Sequence, residues 1–219
     1  GRTVYPDFKE SWHVAHQVLQ PIPERGYIIT GWDCTGLNQA TAAIQVLPGP
    51  RVRVLDEFIL DNGGVTRHLE YCAPEISLKY RWWIEQGQHL CVIDPRGFAR
   101  AETDERAAAD LMRMPPWGFG PIPGEVSLKR IDIVSRYLVM APQGEPALLI
   151  SPHLERLIGG FRGGYHRKQM PSGNYKDVPE KNEFSHIHEA LQYAMSRLDV
   201  VAEPIPYAHG PLPTAWQFV

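Results

Sequence analysis

Tyr27-Ile28-Ile29-Thr30-Gly31-Trp32-Asp33 is a run of β-branched and aromatic residues that ends in an acid, and it reads as a strand carrying a carboxylate at its C-terminal end. Adjacent Ile28 and Ile29 point to opposite faces of such a strand, so neither face is open to water. A charge at its end is costly unless something cationic compensates. Leu90-Cys91-Val92-Ile93-Asp94 repeats the design, with Pro95 preventing simple continuation. Two strands thus deliver acids at their C-terminal ends.

Working outward, 41–47 and 52–59 are further strands, joined as a hairpin by Pro48-Gly49-Pro50. From 66 to about 86, Leu69, Ala73, Ile76, Tyr80 and Trp83 recur at helical spacing. Trp82 and Trp83 belong to that helix, packed on the sheet. Helices are expected at 101–112 and 126–140 around a Pro/Gly-rich loop at 115–124, and a fifth strand at 147–150. Ser151-Pro152 should start a brief helix, and a last helix spans 186–198 with Ser185 as its N-cap. Three meandering strands followed by strand and helix in alternation predict an α/β fold, a mixed five-stranded sheet flanked by helices. Residues 1–26, with Pro6, Pro21 and Pro23, read as a lead-in segment on the surface, 27–202 as the body, and 203–219 as a proline-rich C-terminal tail.

At 219 residues, 43% apolar and 21% charged, the chain suits one soluble domain. No apolar run approaches the roughly 18 residues of a membrane span. The absence of an initiator Met suggests a piece of a longer protein. Cys34, Cys72 and Cys91 lack CxxC spacing and read as reduced core thiols. The string GK does not occur, which excludes a P-loop ATPase within the chain.

The formal charge of −3 hides an asymmetry. Between 156 and 181, six cations face Asp177 and Glu180, a local +4 that leaves −7 for the remainder. Tyr165, His166 and Tyr175 interleave there, and Gly159, Gly160, Gly163 and Gly164 permit close backbone approach. The stretch is expected to form a basic β-hairpin along a phosphate backbone, through Arg162, Arg167, Lys168, Lys176 and Lys181.

Asp33 and Asp94, taken singly, suit strand-end turns. Together at neighbouring strand ends they would repel, and a divalent cation converts that repulsion into attraction. A third acid is available in Ser185-His186-Ile187-His188-Glu189, on a helix whose Ile187, Ala190, Leu191 and Ala194 face a core. Asp177 is the reserve ligand. His186 and His188 lie close by, although Mg²⁺ prefers oxygen. Asp56, Glu57 and Asp61 read as a solvated rim.

Five segments, Val4-Tyr5-Pro6-Asp7-Phe8, Gly31-Trp32-Asp33, Val92-Ile93-Asp94-Pro95, Gly163-Gly164-Tyr165 and the run from Pro179 to Tyr193, resemble in order and spacing the C-terminal nuclease domain of the large terminase subunit of tailed bacteriophages. The resemblance spans about residue 3 to 198. It implies a ribonuclease H-like, resolvase-type fold, with the first and fourth strands adjacent. It further implies a metal-dependent endonuclease that cuts concatemeric double-stranded viral DNA through two Mg²⁺ or Mn²⁺ ions. Asp33 would be shared by both ions, with Asp94 and Glu189 as the other ligands, and the family usually carries Asp where this chain has Glu189. Lys176 or Lys181 would offset charge at phosphorus. The implied partners are an ATPase domain of the same polypeptide, the portal protein and the small terminase subunit, in the cytoplasm of an infected bacterium. The tail, with Trp216 and Phe218, is the candidate portal contact. A Holliday-junction resolvase-like nuclease and a catalytically weak module that docks DNA or the portal are the alternatives.

Overall fold

A computed structural model describes residues 1–99 and 106–201. In chain order the first elements are β1 (Arg2–Thr3), α1 (Glu10–His13), β2 (Tyr27–Asp33), β3 (Gln39–Leu47), β4 (Arg51–Leu60), α2 (Val65–Lys79), α3 (Arg81–Glu85) and β5 (His89–Ile93). They are followed by α4 (Ala108–Arg113), β6 (Pro121–Pro123), α5 (Lys129–Val139), β7 (Leu148–Ile150), α6 (Glu155–Gly159), β8 (His166–Arg167) and α7 (Ser185–Met195). The main sheet runs β6-β5-β2-β3-β4-β7. Its centre is the antiparallel β2-β3-β4 meander, and β5, β6 and β7 join parallel to their neighbours.

The sheet has six strands where five were expected. The addition, β6, lies in the loop expected at 115–124, and two of its three residues are proline. The edge tolerates this because Gly124 N–H donates to Ile93 O, so by the period of two Ile122 also faces β5 while the prolines face outward. Two other expectations shift. The helix read from 66 to 86 breaks at Tyr80 into α2 and α3. Ser151 caps no helix; its hydroxyl accepts the Leu19 N–H at 2.9 Å, and α6 begins at Glu155. The 101–112 helix is described only from Ala108, and the tail from 203 lies outside the described residues.

Each face of the sheet has its own core. Ile28, Trp32, Cys91 and Ile93 pack with α2, α3 and α4 around Leu69, Ile76 and Met112. Ile29 and Val92 pack on the other face with α5, α6 and α7, around Val134, Leu157 and Leu191. The lead-in segment is built into this second core rather than laid over the surface. Val4 and Tyr5 are buried, Val4 N–H donates to Tyr165 O, and β1 pairs antiparallel with β8. Buried apolar side chains at these positions outweigh the prolines that suggested a surface wrap. All three cysteines are free and buried. Trp83 is buried with its Nε1–H on Arg25 O at 2.8 Å, as expected for a packing residue. No helix among the described residues is long and apolar enough to cross a membrane.

Candidate metal centre at the carboxyl ends of β2 and β5

Side chains alternate along a strand, so the face chosen by one residue decides the face of every second one. Ile29 points into the α7 core, and Gly31 and Asp33 follow it to the same face. On β5, Val92 points the same way and Asp94 follows. The two strands are parallel neighbours with Trp32 opposite Ile93, and Asp94 N–H donates to Trp32 O at 2.9 Å. Asp33 and Asp94 therefore stand one residue past a paired register, on strands separated by about 4.8 Å. Both are buried.

The third acid arrives because α7 touches the sheet backbone at Gly31. A Cβ there would lie 2.0 Å from Ala190 O and 2.6 Å from Ala194 N. Only glycine permits that approach, and it sets the start of α7 over the end of β2. His186 Nδ1 then lies 2.8 Å from Asp33 Oδ2. Glu189, one turn later, is 6% exposed and close enough to Asp33 for the two charges to interact.

Each acid has a separate basic partner. Asp94 accepts Arg96 Nε–H at 2.9 and 3.1 Å, a further guanidinium N–H, the Arg96 backbone N–H at 2.9 Å and the Thr35 hydroxyl at 3.3 Å. Burial alone would raise the Asp94 carboxyl, but these donors outweigh it and hold the group below the usual carboxylate range. Glu189 pairs with Lys181. Its carboxyl is nonetheless pushed up, by burial first and by the Asp33 charge second, against the opposing pull of Lys181. The Asp33 charge thus still acts on Glu189 despite the Lys181 ion pair.

Among the described residues, no group of three or more His, Cys, Asp or Glu side chains is placed so that it could hold a metal ion. The acids instead turn toward Arg96, Lys181 and His186. The donor chemistry still fits a hard divalent cation, because Asp33 and Asp94 end neighbouring strands and the Asp33 charge acts on Glu189. Arg96 and Lys181 have 64% and 54% of their side chains exposed, so an ion can displace them without burying an unpaired charge.

The reserve ligand Asp177 is exposed on the 166–178 hairpin, and among the described residues no hydrogen bond or ion pair joins it to the three acids. The hairpin itself is present. Lys176 N–H donates to Lys168 O, Met170 N–H to Asn174 O, and Gln169 bridges Tyr175. Arg167, Lys168 and Lys176 lie on it. Arg167 donates to Asp177 O at 3.1 Å and Lys168 lies 3.6 Å from Glu180. Arg162 stands apart, tied to Glu10 of α1, and Lys181 sits at the acids. Three of the four glycines before the hairpin serve packing rather than a phosphate backbone, while Gly163, at φ +125°, meets nothing within 4 Å. A Cβ on Gly160 would strike His188 Nε2 at 2.1 Å, and Cβ atoms on Gly159 and Gly164 would strike Phe184.

His188, read as near the acids, is fully buried with Nε2 on Leu157 O at 3.0 Å, and burial holds its pKa down at about 3. The rim reading holds only for Asp61. Asp56 bonds the Tyr80 hydroxyl and Lys79, while Glu57 accepts the Arg156 and Leu157 N–H groups at 3.0 and 2.8 Å and caps α6. Their strand, β4, lies between β3 and β7 rather than at an edge. The sequence reading missed Arg96, although Asp94-Pro95-Arg96 places a cation at turn distance from the acid. It also missed Arg130, whose Nε–H donates to Gln192 and whose guanidinium stands 5.3 Å from the Tyr193 ring. No local pattern in α5 announces that contact.

Neither a family model nor a curated protein matches the chain. Among solved structures it is similar to the large terminase nuclease domain of bacteriophage SPP1 with bound Mn, at 14% identity and TM-score 0.56, over 86% of this chain and 97% of that one. It is also similar to the large terminase nuclease of thermophilic phage G20c with bound cobalt, at 11% identity and TM-score 0.57, over 90% and 97%. At such identities the likeness speaks for architecture, and the chain therefore has the ribonuclease H-like fold seen in these two large terminase nuclease domains.

Proposed function

We propose that this chain is a metal-dependent endodeoxyribonuclease that cuts concatemeric double-stranded viral DNA during genome packaging. What supports the reading is that Asp33 and Asp94 end the parallel neighbours β2 and β5, and that the Asp33 charge acts on Glu189 of α7, at one end of a sheet of this fold. The SPP1 and G20c domains hold Mn and cobalt, which supports a divalent ion as cofactor here. Asp33 would be shared by two Mg²⁺ or Mn²⁺ ions, with Asp94 and Glu189 completing the set and Asp177 of the hairpin as the reserve ligand. Divalent ions supply Lewis acidity, which acidifies water and offsets charge on a phosphoryl group.

The chain's own groups do the rest. His186 orients Asp33 through its 2.8 Å contact. Arg96 and Lys181 hold cationic charge at the rim, where phosphate oxygens approach. Arg167, Lys168 and Lys176 offer phosphate contacts from the hairpin, with little sequence preference. A portal protein, a small terminase subunit and a covalently attached ATPase domain are the partners that the terminase likeness suggests.

Supercoiled plasmid with Mn²⁺ tests the proposal. Wild type should nick and linearise it, and Asp33→Ala should do neither. Absence of cleavage by both proteins would reject the nuclease in favour of a docking module. Preference for a four-way junction over linear duplex would reassign the substrate to branched DNA.

A further inference from the structure

The 166–178 hairpin stands beside the start of α5, and between them runs a groove of about 920 Å³. Arg2, Lys129, Arg167 and Lys176 line it, against Asp132 and Asp177. Some exposed cations elsewhere are matched with acids, Arg81 with Glu85 at 2.6 Å, Arg113 with Asp110 at 3.2 Å and Arg162 with Glu10, whereas Lys9, Arg67 and Arg136 form no ion pair among the described residues. In the groove Arg2, Lys129 and Lys176 form no ion pair among the described residues, although two carboxylates share the lining. Four cations drawn from β1, α5 and the two arms of the hairpin converge against two carboxylates, a local net of +2. In a chain with a net charge of −3 that cluster is out of keeping with the whole.

The three acids do not line the groove, but a cation next in the chain to its lining reaches toward them. Lys129 precedes Arg130, whose charge acts on both Glu189 and Tyr193. Beyond Glu189 stands Lys181. Positive groups therefore run from the acid cluster along the start of α5 into the groove.

We propose that this groove is a second phosphate-binding site, which holds the backbone of duplex DNA at a distance from the scissile bond. The proposal rests on the nuclease reading and extends it, assigning Arg2 and Lys129 to DNA contact beside the hairpin cations. The site carries charge but no paired amide donors of the kind that read bases, so it adds affinity and register without sequence choice.

Anisotropy of a short labelled duplex, titrated at several salt concentrations in the presence of a chelator, reads the site without any cleavage. Each phosphate contact contributes about 0.9 to the slope of log affinity against log salt. The double variant Arg2→Gln/Lys129→Gln should therefore bind more weakly, with a slope shallower by about 1.8, and Lys129→Gln alone by about 0.9. Arg113→Gln, on the opposite face of the sheet, should keep the wild-type slope. A wild-type slope in the double variant would overturn the groove while leaving the nuclease standing. Failure of the wild-type protein to bind duplex at all would overturn the nuclease reading itself.

Discussion

Arg96 reaches back two residues to grip Asp94 with its side chain and its backbone N–H. The grip compensates a buried charge, and any ion that takes Asp94 must break it. Arg96 is mostly exposed, so breaking it costs little beyond the hydrogen bonds themselves. Arg96→Gln should therefore tighten Mn²⁺ binding to the DNA-free protein by roughly tenfold, equivalent to about 1.4 kcal/mol of lost competition. The same variant should cut DNA more slowly, since a cation is removed from the rim. Calorimetric titration with Mn²⁺ checks the first expectation, and unchanged affinity would show that Arg96 does not compete for Asp94.

At the scale of elements, the site depends on how closely α7 approaches β2. Gly31 is the contact point, and the atoms a Cβ would meet there are backbone atoms of α7, which cannot swing aside. Gly31→Ala should destabilise the protein by about 1–3 kcal/mol, the ordinary cost of overpacking. Because the displaced helix carries His186 and Glu189, metal-dependent cleavage should fall much further than stability does. Urea denaturation alongside plasmid cleavage separates the two effects. Retention of full cleavage by a folded Gly31→Ala protein would mean that the α7 position is not critical. α6 shows the same dependence on a distant strand, since Glu57 of β4 accepts two of its first N–H groups.

For the whole molecule, three histidines with strongly lowered pKa values dominate the response to acid, and buried His13 is shifted in the same direction. His68 and His89 have pKa values held down at about 4, and His188 at about 3, in each case chiefly by burial. Unfolding releases them to an ordinary value near 6.5, so the unfolded chain binds more protons. Their contribution to stability is complete above about 6.5 and is lost as pH falls toward the folded values, at up to roughly 4 kcal/mol per pH unit for three protons. Glu57 and Glu189, raised by burial, act in the opposite sense and temper the loss. The urea midpoint should therefore decline between pH 7 and 5. His68→Gln should lower the proton uptake on unfolding by about one, and an unchanged uptake would refute the assignment.

Much of this molecule was legible in the sequence because its signals are local. The runs ending in Asp33 and Asp94 announce strands by composition, and their period of two already puts each acid on a defined face. Glu189 was legible through the apolar spacing of its helix. Strand β6 was hidden because proline normally argues against a strand, and only the open edge beside β5 accepts it. The glycines at 159, 160 and 164 looked like clearance for a phosphate backbone until Phe184 and His188 filled the space. Clearance has no chemical signature in a sequence, and its occupant is chosen by packing. Residue types and their periodicity thus determined which acids the chain offers and which way they face. Tertiary structure alone decided their partners and the groove of clustered cations, because charge pairing acts across space between segments far apart in the chain.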